Sequence, residues 1–134
     1  MRVFLDANIL FSAALPHSRT RALLNVLMDR TDSDCLTNDY AIDEARRNIV
    51  AKFPDAEKAL DRLAKKCLRV LPMVRNFEAG LPLKDVPILG GAIAGHATHL
   101  LTGDERDFGK LWGQSIQGVK IVSPQMLAAE MWLV

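Results

Sequence analysis

Short apolar runs separated by segments of helical period constrain this chain more than any other feature. Val3-Phe4-Leu5, Cys35-Leu36-Thr37, Leu68-Arg69-Val70-Leu71, His99-Leu100-Leu101-Thr102 and Val119-Lys120-Ile121-Val122 are short enough to be strands. Between them apolar residues recur at steps of three and four. Ala22, Leu23, Val26 and Leu27 predict a helix over 19–30 with Ser18 as its cap. Ile42, Ala45, Ile49 and Phe53 predict a helix opened by Asn38 or Asp39 and stopped at Pro54-Asp55. Leu60, Leu63, Ala64 and Cys67 share one face of the next helix. Pro87 suits the first turn of a helix over 87–98, and Ser123-Pro124 starts a last one over 124–132. Residues 73–86 read as loop, and Gln114 to Gly118 carry no signal. Alternation of this kind predicts an α/β fold: three layers, α/β/α, around a mostly parallel five-stranded sheet.

Composition narrows the class. With 134 residues, 49% of them hydrophobic, and a formal charge of +1, the chain suits one compact domain spanning 1–134 rather than a disordered polymer. Its apolar runs fall well short of the ~20 residues that cross a bilayer. Asp6 interrupts the N-terminus too early for a signal peptide. Cys35 and Cys67 lack metal-ligand spacing and read as buried thiols in a reducing, cytoplasmic setting, so a zinc site is not expected. His17, His96 and His99 show no ligand spacing either and read as structural. The apolar C-terminus, with Leu127, Met131, Trp132, Leu133 and Val134, suits packing on the sheet or a subunit contact.

Charge is unevenly spread. Residues 44–75 hold nine basic and four acidic side chains, whereas the rest of the chain is net acidic. Such a segment is a solvated helix face or a phosphate-binding surface.

In parallel α/β sheets ligands bind at the carboxyl ends of the strands. Asp6 directly follows the first run, and Asp104 follows the fourth through Thr102-Gly103. Asp85 precedes a helix start, and Glu44 lies in the first turns of the helix after the second strand. Four acids from four segments can therefore meet at one edge. Carboxylates so gathered either protonate or bind a cation, and an all-oxygen set suits Mg²⁺ or Mn²⁺. Taken singly, each acid also has a plain structural reading as a strand end, a helix cap or a turn residue.

Together the four segments resemble those of the PIN domain, a family of metal-dependent ribonucleases. Val3-Phe4-Leu5-Asp6-Ala7-Asn8-Ile9-Leu10 is similar to its opening strand and first acid. Asp39-Tyr40-Ala41-Ile42-Asp43-Glu44-Ala45-Arg46 is similar to its second segment, where a Glu supplies the acid. Lys84-Asp85-Val86-Pro87-Ile88-Leu89-Gly90-Gly91-Ala92 and Leu101-Thr102-Gly103-Asp104-Glu105-Arg106-Asp107-Phe108 resemble the third and fourth. Order and spacing match over essentially the whole chain. Gly90 and Gly91 stand where family members often carry Ala, which implies close approach of that helix to the sheet.

The resemblance implies that Asp6, Glu44, Asp85 and Asp104 are catalytic and bind metal. It adds Asp107 as a further ligand, and Asn8 and Thr102 as groups that orient the acids. Asp43 rivals Glu44, and the family's use of Glu favours Glu44. The implied activity is hydrolysis of RNA by water with Mg²⁺ or Mn²⁺ held by the acids, leaving 5′-phosphate and 3′-hydroxyl ends. Arg46 and Arg47, nearest Glu44 in the basic segment, are the first candidates for RNA contact. PIN domains of this size resemble VapC-type toxins, which implies a homodimer and an antitoxin partner. The alternative within the family is a module that binds RNA or protein without catalysis. A dehalogenase-like phosphotransfer pattern, D-x-D-x-T, fails because Asn8 and Leu10 occupy its second and third positions.

Overall fold

The computed structural model describes residues 1–71 and 81–132. Six strands form one sheet: β1 (Arg2–Leu5), β2 (Asp34–Thr37), β3 (Leu68–Arg69), β4 (His99–Leu101), β5 (Ser115–Ile116) and β6 (Val119–Val122). Their order is β3-β2-β1-β4-β6-β5. Every pair is parallel except β5 with β6. Seven helices connect them among the described residues: α1 (Ala7–Ala14), α2 (Arg19–Asp29), α3 (Asp39–Lys52), α4 (Glu57–Lys65), α5 (Val86–Ala94), α6 (Glu105–Phe108) and α7 (Pro124–Trp132). Helices α1, α3 and α4 pack on one another, and α5 covers β1, β2 and β4. Right-handed crossovers put these two groups on opposite faces of the sheet, giving three layers.

Burial explains the apolar runs. Val3, Phe4, Leu5, Leu100, Leu101, Ile121 and Val122 are fully buried because the central strands have helices on both sides. The expected caps are present. Ser18 Oγ accepts from the Arg21 N–H at 3.0 Å, Asn38 Oδ1 from Ala41 at 3.0 Å, and Ser123 Oγ from Met126 at 3.2 Å.

Several expectations need adjustment. The sixth strand, β5, lies in the segment that carried no signal. It pairs with β6 through Gln117 and Gly118, both at positive φ (49° and 85°), a two-residue turn whose twist suits a hairpin. Helix α5 ends at Ala94 rather than at residue 98, since Gly95 caps it and His96 takes φ 54°. Phe53 is the C-cap of α3 and half-exposed, so it is not part of the buried stripe. Most of the loop expected over 73–86 lies outside the described residues, and its end, Leu83–Asp85, is a single 3-10 turn. Leu127 and Met131 are buried and Trp132 is exposed, while Leu133 and Val134 lie outside the described residues. Cys35 and Cys67 are buried free thiols, with burial pushing both up to about 12. His99 is buried, its ring nitrogens paired with Thr98 Oγ1 at 2.8 Å and Glu130 Oε1 at 3.0 Å.

Gly91 shows why α5 carries glycine. A Cβ there would sit 2.6 Å from Asn38 Nδ2 and 3.0 Å from the Phe4 ring. Asn38 has no freedom to yield, because Nδ2 donates to the Pro87 carbonyl at 3.1 Å while Oδ1 caps α3. Gly91→Ala should therefore destabilise the protein by about 1–3 kcal/mol, the usual cost of overpacking. Thermal unfolding checks this, and an unchanged melting temperature would contradict the close packing.

Candidate active site

Strand β1 delivers Asp6 to the carboxyl edge of the sheet, where its side chain also opens α1. Asp6 Oδ1 accepts from the Ala7 N–H at 2.6 Å. Oδ2 accepts from Thr102 Oγ1 at 2.8 Å and from Asn8 Nδ2 at 3.1 Å. Thr102 follows β4, the strand beside β1, so the Thr102 bond ties the two strand ends together. The Asn8 amide reaches across in the same sense, its Oδ1 accepting from the Gly103 N–H at 2.7 Å. Thr102 Oγ1 in turn accepts from the Asp104 N–H at 3.1 Å. Asp104 then opens α6, its Oδ1 accepting from the Asp107 N–H at 3.0 Å.

The other two acids arrive on α3 and on the turn before α5. Tyr40 Oη donates to the Lys84 carbonyl at 2.5 Å, and Asn38 holds Pro87 as described. These bonds clamp the start of α3 to the segment that carries Asp85. Asp6, Glu44, Asp85 and Asp104 all line one cleft of about 330 Å³, together with Ala7, Asn8, Phe11, Asn48, Lys52 and Lys84. Asp107 is not among those lining residues. Its carboxylate nevertheless approaches Asp85 and Asp104, with oxygens of all three within 4.8 Å of one another.

This crowding is legible in the proton affinities. Burial, offset in part by the Thr102 and Ala7 hydrogen bonds and reinforced by Glu44 and Asp104, pushes Asp6 up to about 6. Burial, the hydrogen bond and charge of Asp107, and the charge of Asp6 push Asp85 up to about 7. Asp107 moves the other way, because it receives that hydrogen bond from Asp85 and lies 3.2 Å from Lys84 Nζ.

The donor set fits a hard divalent cation. Its acidic ligands are all carboxylates, they outnumber the lysines Lys52 and Lys84 among the described residues, and Asp85 Oδ2 is buried there without a donor. Zinc sites are built mainly from His and Cys, and neither lines the cleft among the described residues.

The residues named from the sequence separate into two groups. Glu44 faces the cleft, whereas Asp43 is exposed and lines a different groove with Arg46, Arg47, Val50 and Ala51. Arg46 is engaged in ion pairs with Asp61 at 2.7 Å and Glu57 at 3.5 Å. Neither arginine lines the acidic cleft. Among the described residues its cations are Lys52 and Lys84, which sequence reasoning missed. The signal for Lys52 was available: Glu44, Asn48 and Lys52 lie at four-residue steps on one face of α3.

No protein-family model matches the chain, and no curated protein matches it. Solved structures do. A chain of VapBC2 from Rickettsia felis, bound to a DNA fragment from its promoter, aligns with a TM-score of 0.63 at 17% identity, covering 92% of this chain and 98% of that one. VapBC-1 from nontypeable Haemophilus influenzae aligns at 0.61 and 12% identity, covering 93% and 99%. FitAB bound to the IR36 DNA fragment aligns at 0.60 and 15% identity, covering 91% and 94%. The fold is PIN-like. The PIN-like sheet sets the first and fourth acids on neighbouring strands, which is why residues 98 apart in sequence share one cleft.

Asp85 supplies a test that needs no substrate. A carboxyl raised in the folded state binds its proton more tightly there than in the unfolded chain. Its cost to stability is absent below its ordinary value of 3.8 and complete above about 7. Asp85→Asn keeps a donor towards Asp107 and removes the charge. In EDTA at pH 8 the variant should melt about 3–5 °C higher, since the open cleft screens the gain to about 1 kcal/mol. At pH 4 the difference should vanish. A lower melting temperature at pH 8 would show that the acids do not repel one another in the metal-free protein.

Proposed function

We propose that this chain is a metal-dependent endoribonuclease, a hydrolase of RNA phosphodiester bonds and the toxin member of a toxin–antitoxin pair. The observation that carries the reading is the convergence of Asp6, Glu44, Asp85 and Asp104 on one open cleft at the carboxyl edge of a parallel sheet. Asp107 joins them as a further ligand. The cofactor is Mg²⁺ or Mn²⁺. When bound, such an ion lowers the pKa of water and neutralises charge on a phosphodiester.

The chain's own residues do the positioning. Thr102 and Asn8 fix the orientation of Asp6, and the Ala7 N–H fixes its second oxygen. Such outer partners keep a ligand ready at its working geometry. Asp104 is set by two backbone bonds, one through Thr102 and one to Asp107. Lys84 lies against Asp107 and lowers the repulsion an approaching phosphate meets. Lys52 does the same on the other side of the cleft. No side-chain nucleophile is required, and among the described residues neither Ser nor Cys nor His lines the cleft.

The shared fold with the VapBC and FitAB structures supports a protein antitoxin as partner. The homodimer and the cytoplasmic location rest on the sequence resemblance to VapC-type toxins alone. No helix among the described residues is long and apolar enough to cross a membrane. Two of those structures are bound to DNA fragments, but the substrate proposed here is RNA.

Purified protein should cut RNA with Mn²⁺ or Mg²⁺ and stop in EDTA. Asp6→Asn should lower the rate by more than about a hundredfold, beyond the loss expected of an outer partner. The variant should still unfold cooperatively, as a folded protein does. Gel analysis of structured and unstructured RNA checks this. A folded Asp6→Asn variant with full activity would remove the catalytic reading, and Mn²⁺-independent RNA binding without cleavage would favour the non-catalytic module.

A further inference from the structure

The cleft has a second chemistry at the end away from the acids. Glu44, Asn48 and Lys52 follow one face of α3, and Lys52 lies about 12 Å along the helix from Glu44, at 1.5 Å per residue. Opposite them, α1 contributes Phe11, about one turn beyond Asn8. This end therefore presents an aromatic ring, an amide and an ammonium, whereas the other end presents carboxylates.

Two further contacts define it. Lys52 Nζ stands 5.8 Å from the centroid of the Phe11 ring. Phe53 tilts against Phe11 with centroids 6.0 Å apart and an interplanar angle of 55°, and it remains 48% exposed. An exposed cation–π contact is weak, so the ammonium can leave the ring for a stronger partner. A phosphate is such a partner, and its arrival uncovers an aromatic face. Nucleobases stack on such faces whatever their sequence. The Asn48 amide both donates and accepts, as a base edge requires.

We propose that Phe11, Asn48 and Lys52, with Phe53 beside them, form a subsite for one unpaired nucleotide next to the scissile phosphate. The base lies against Phe11 and the phosphate against Lys52. Bases in a duplex are stacked inside and cannot reach a ring in a cleft wall, so the subsite selects single strands. This inference rests on the ribonuclease reading for what sits at the acidic end, but its test reads binding rather than cleavage.

Asp6→Asn protein serves as the background. Fluorescence anisotropy would compare a short labelled single-stranded RNA, an abasic ribose-phosphate strand of equal length, and the blunt duplex. The single strand should bind about tenfold more tightly than the abasic strand. Phe11→Leu and, independently, Phe53→Ala should remove most of that difference and leave abasic binding unchanged. Lys52→Gln should weaken both strands and lower the salt slope by about 1. Folded Phe11→Leu and Phe53→Ala variants with full single-strand affinity would overturn the subsite, as would equal affinity for the duplex. Base-dependent binding by a chain that cleaves nothing would keep the subsite and discard the catalytic reading. Cleavage with base-independent binding would do the reverse.

Discussion

Repulsion between carboxylates is the constraint to which the rest of this structure responds. Five acids from four segments meet at one sheet edge, and like charges so gathered resist ionisation. The fold distributes the strain unevenly. Asp6 and Asp85 rise towards neutrality, while Asp107 falls because Asp85 and Lys84 both favour its charge. Hydrogen bonds from Thr102, Asn8 and the Ala7 backbone hold Asp6 in place despite its burial. A site with this much like charge is a cost to folding that either protonation or a cationic ligand removes. The same sites that weaken the fold thus define what it can bind.

The scaffold makes that concentration possible by its strand order. β1 lies between β2 and β4, so each neighbour brings its own carboxyl end to the same rim. Glu44 reaches the rim because Asn38 caps α3 at the end of β2. Asp85 reaches it because Tyr40 and Asn38 grip the segment that follows Lys84. Gly91 lets α5 approach closely enough for Asn38 to make both of its bonds. Packing and chemistry are here one problem, since a methyl group at Gly91 presses on the residue that positions both helices.

Much of this was legible in the sequence, and what was not has physical reasons. Five of the six strands and the caps at Ser18, Asn38 and Ser123 followed from apolar period and side-chain chemistry. β3 keeps only Leu68–Arg69 of its expected run 68–71. β5, equally short, was hidden because no apolar run surrounds Ser115–Ile116 and Gln-Gly is a weaker turn signal than Asn-Gly. The end of α5 was overrun because Ala97 keeps helical spacing from Ile93, although Gly95 ends the helix and His96 takes a positive φ. The acids stood out by their position after strands, whereas the cation beside them follows only from helical spacing, not from adjacency in sequence. Arg46 and Arg47 adjoin Glu44 in sequence and line another groove. Lys52, eight residues on, shares its cleft, because neighbours on a helix are three and four residues apart rather than one and two. Asp43 and Glu44 are separated by the same rule.

The pairing of β1 with β4 joins residues almost a hundred positions apart. During synthesis the first half of the chain can form β1, β2 and α3, yet its two acids then face no partners. The cleft closes only when residues 99–108 have left the ribosome and β4 has slotted in beside β1. A nascent chain therefore carries no assembled acid site until residues 99–108 have emerged. Within the PIN-like topology, assembly of the site waits on a single late strand, not on the segments that supply its first two acids.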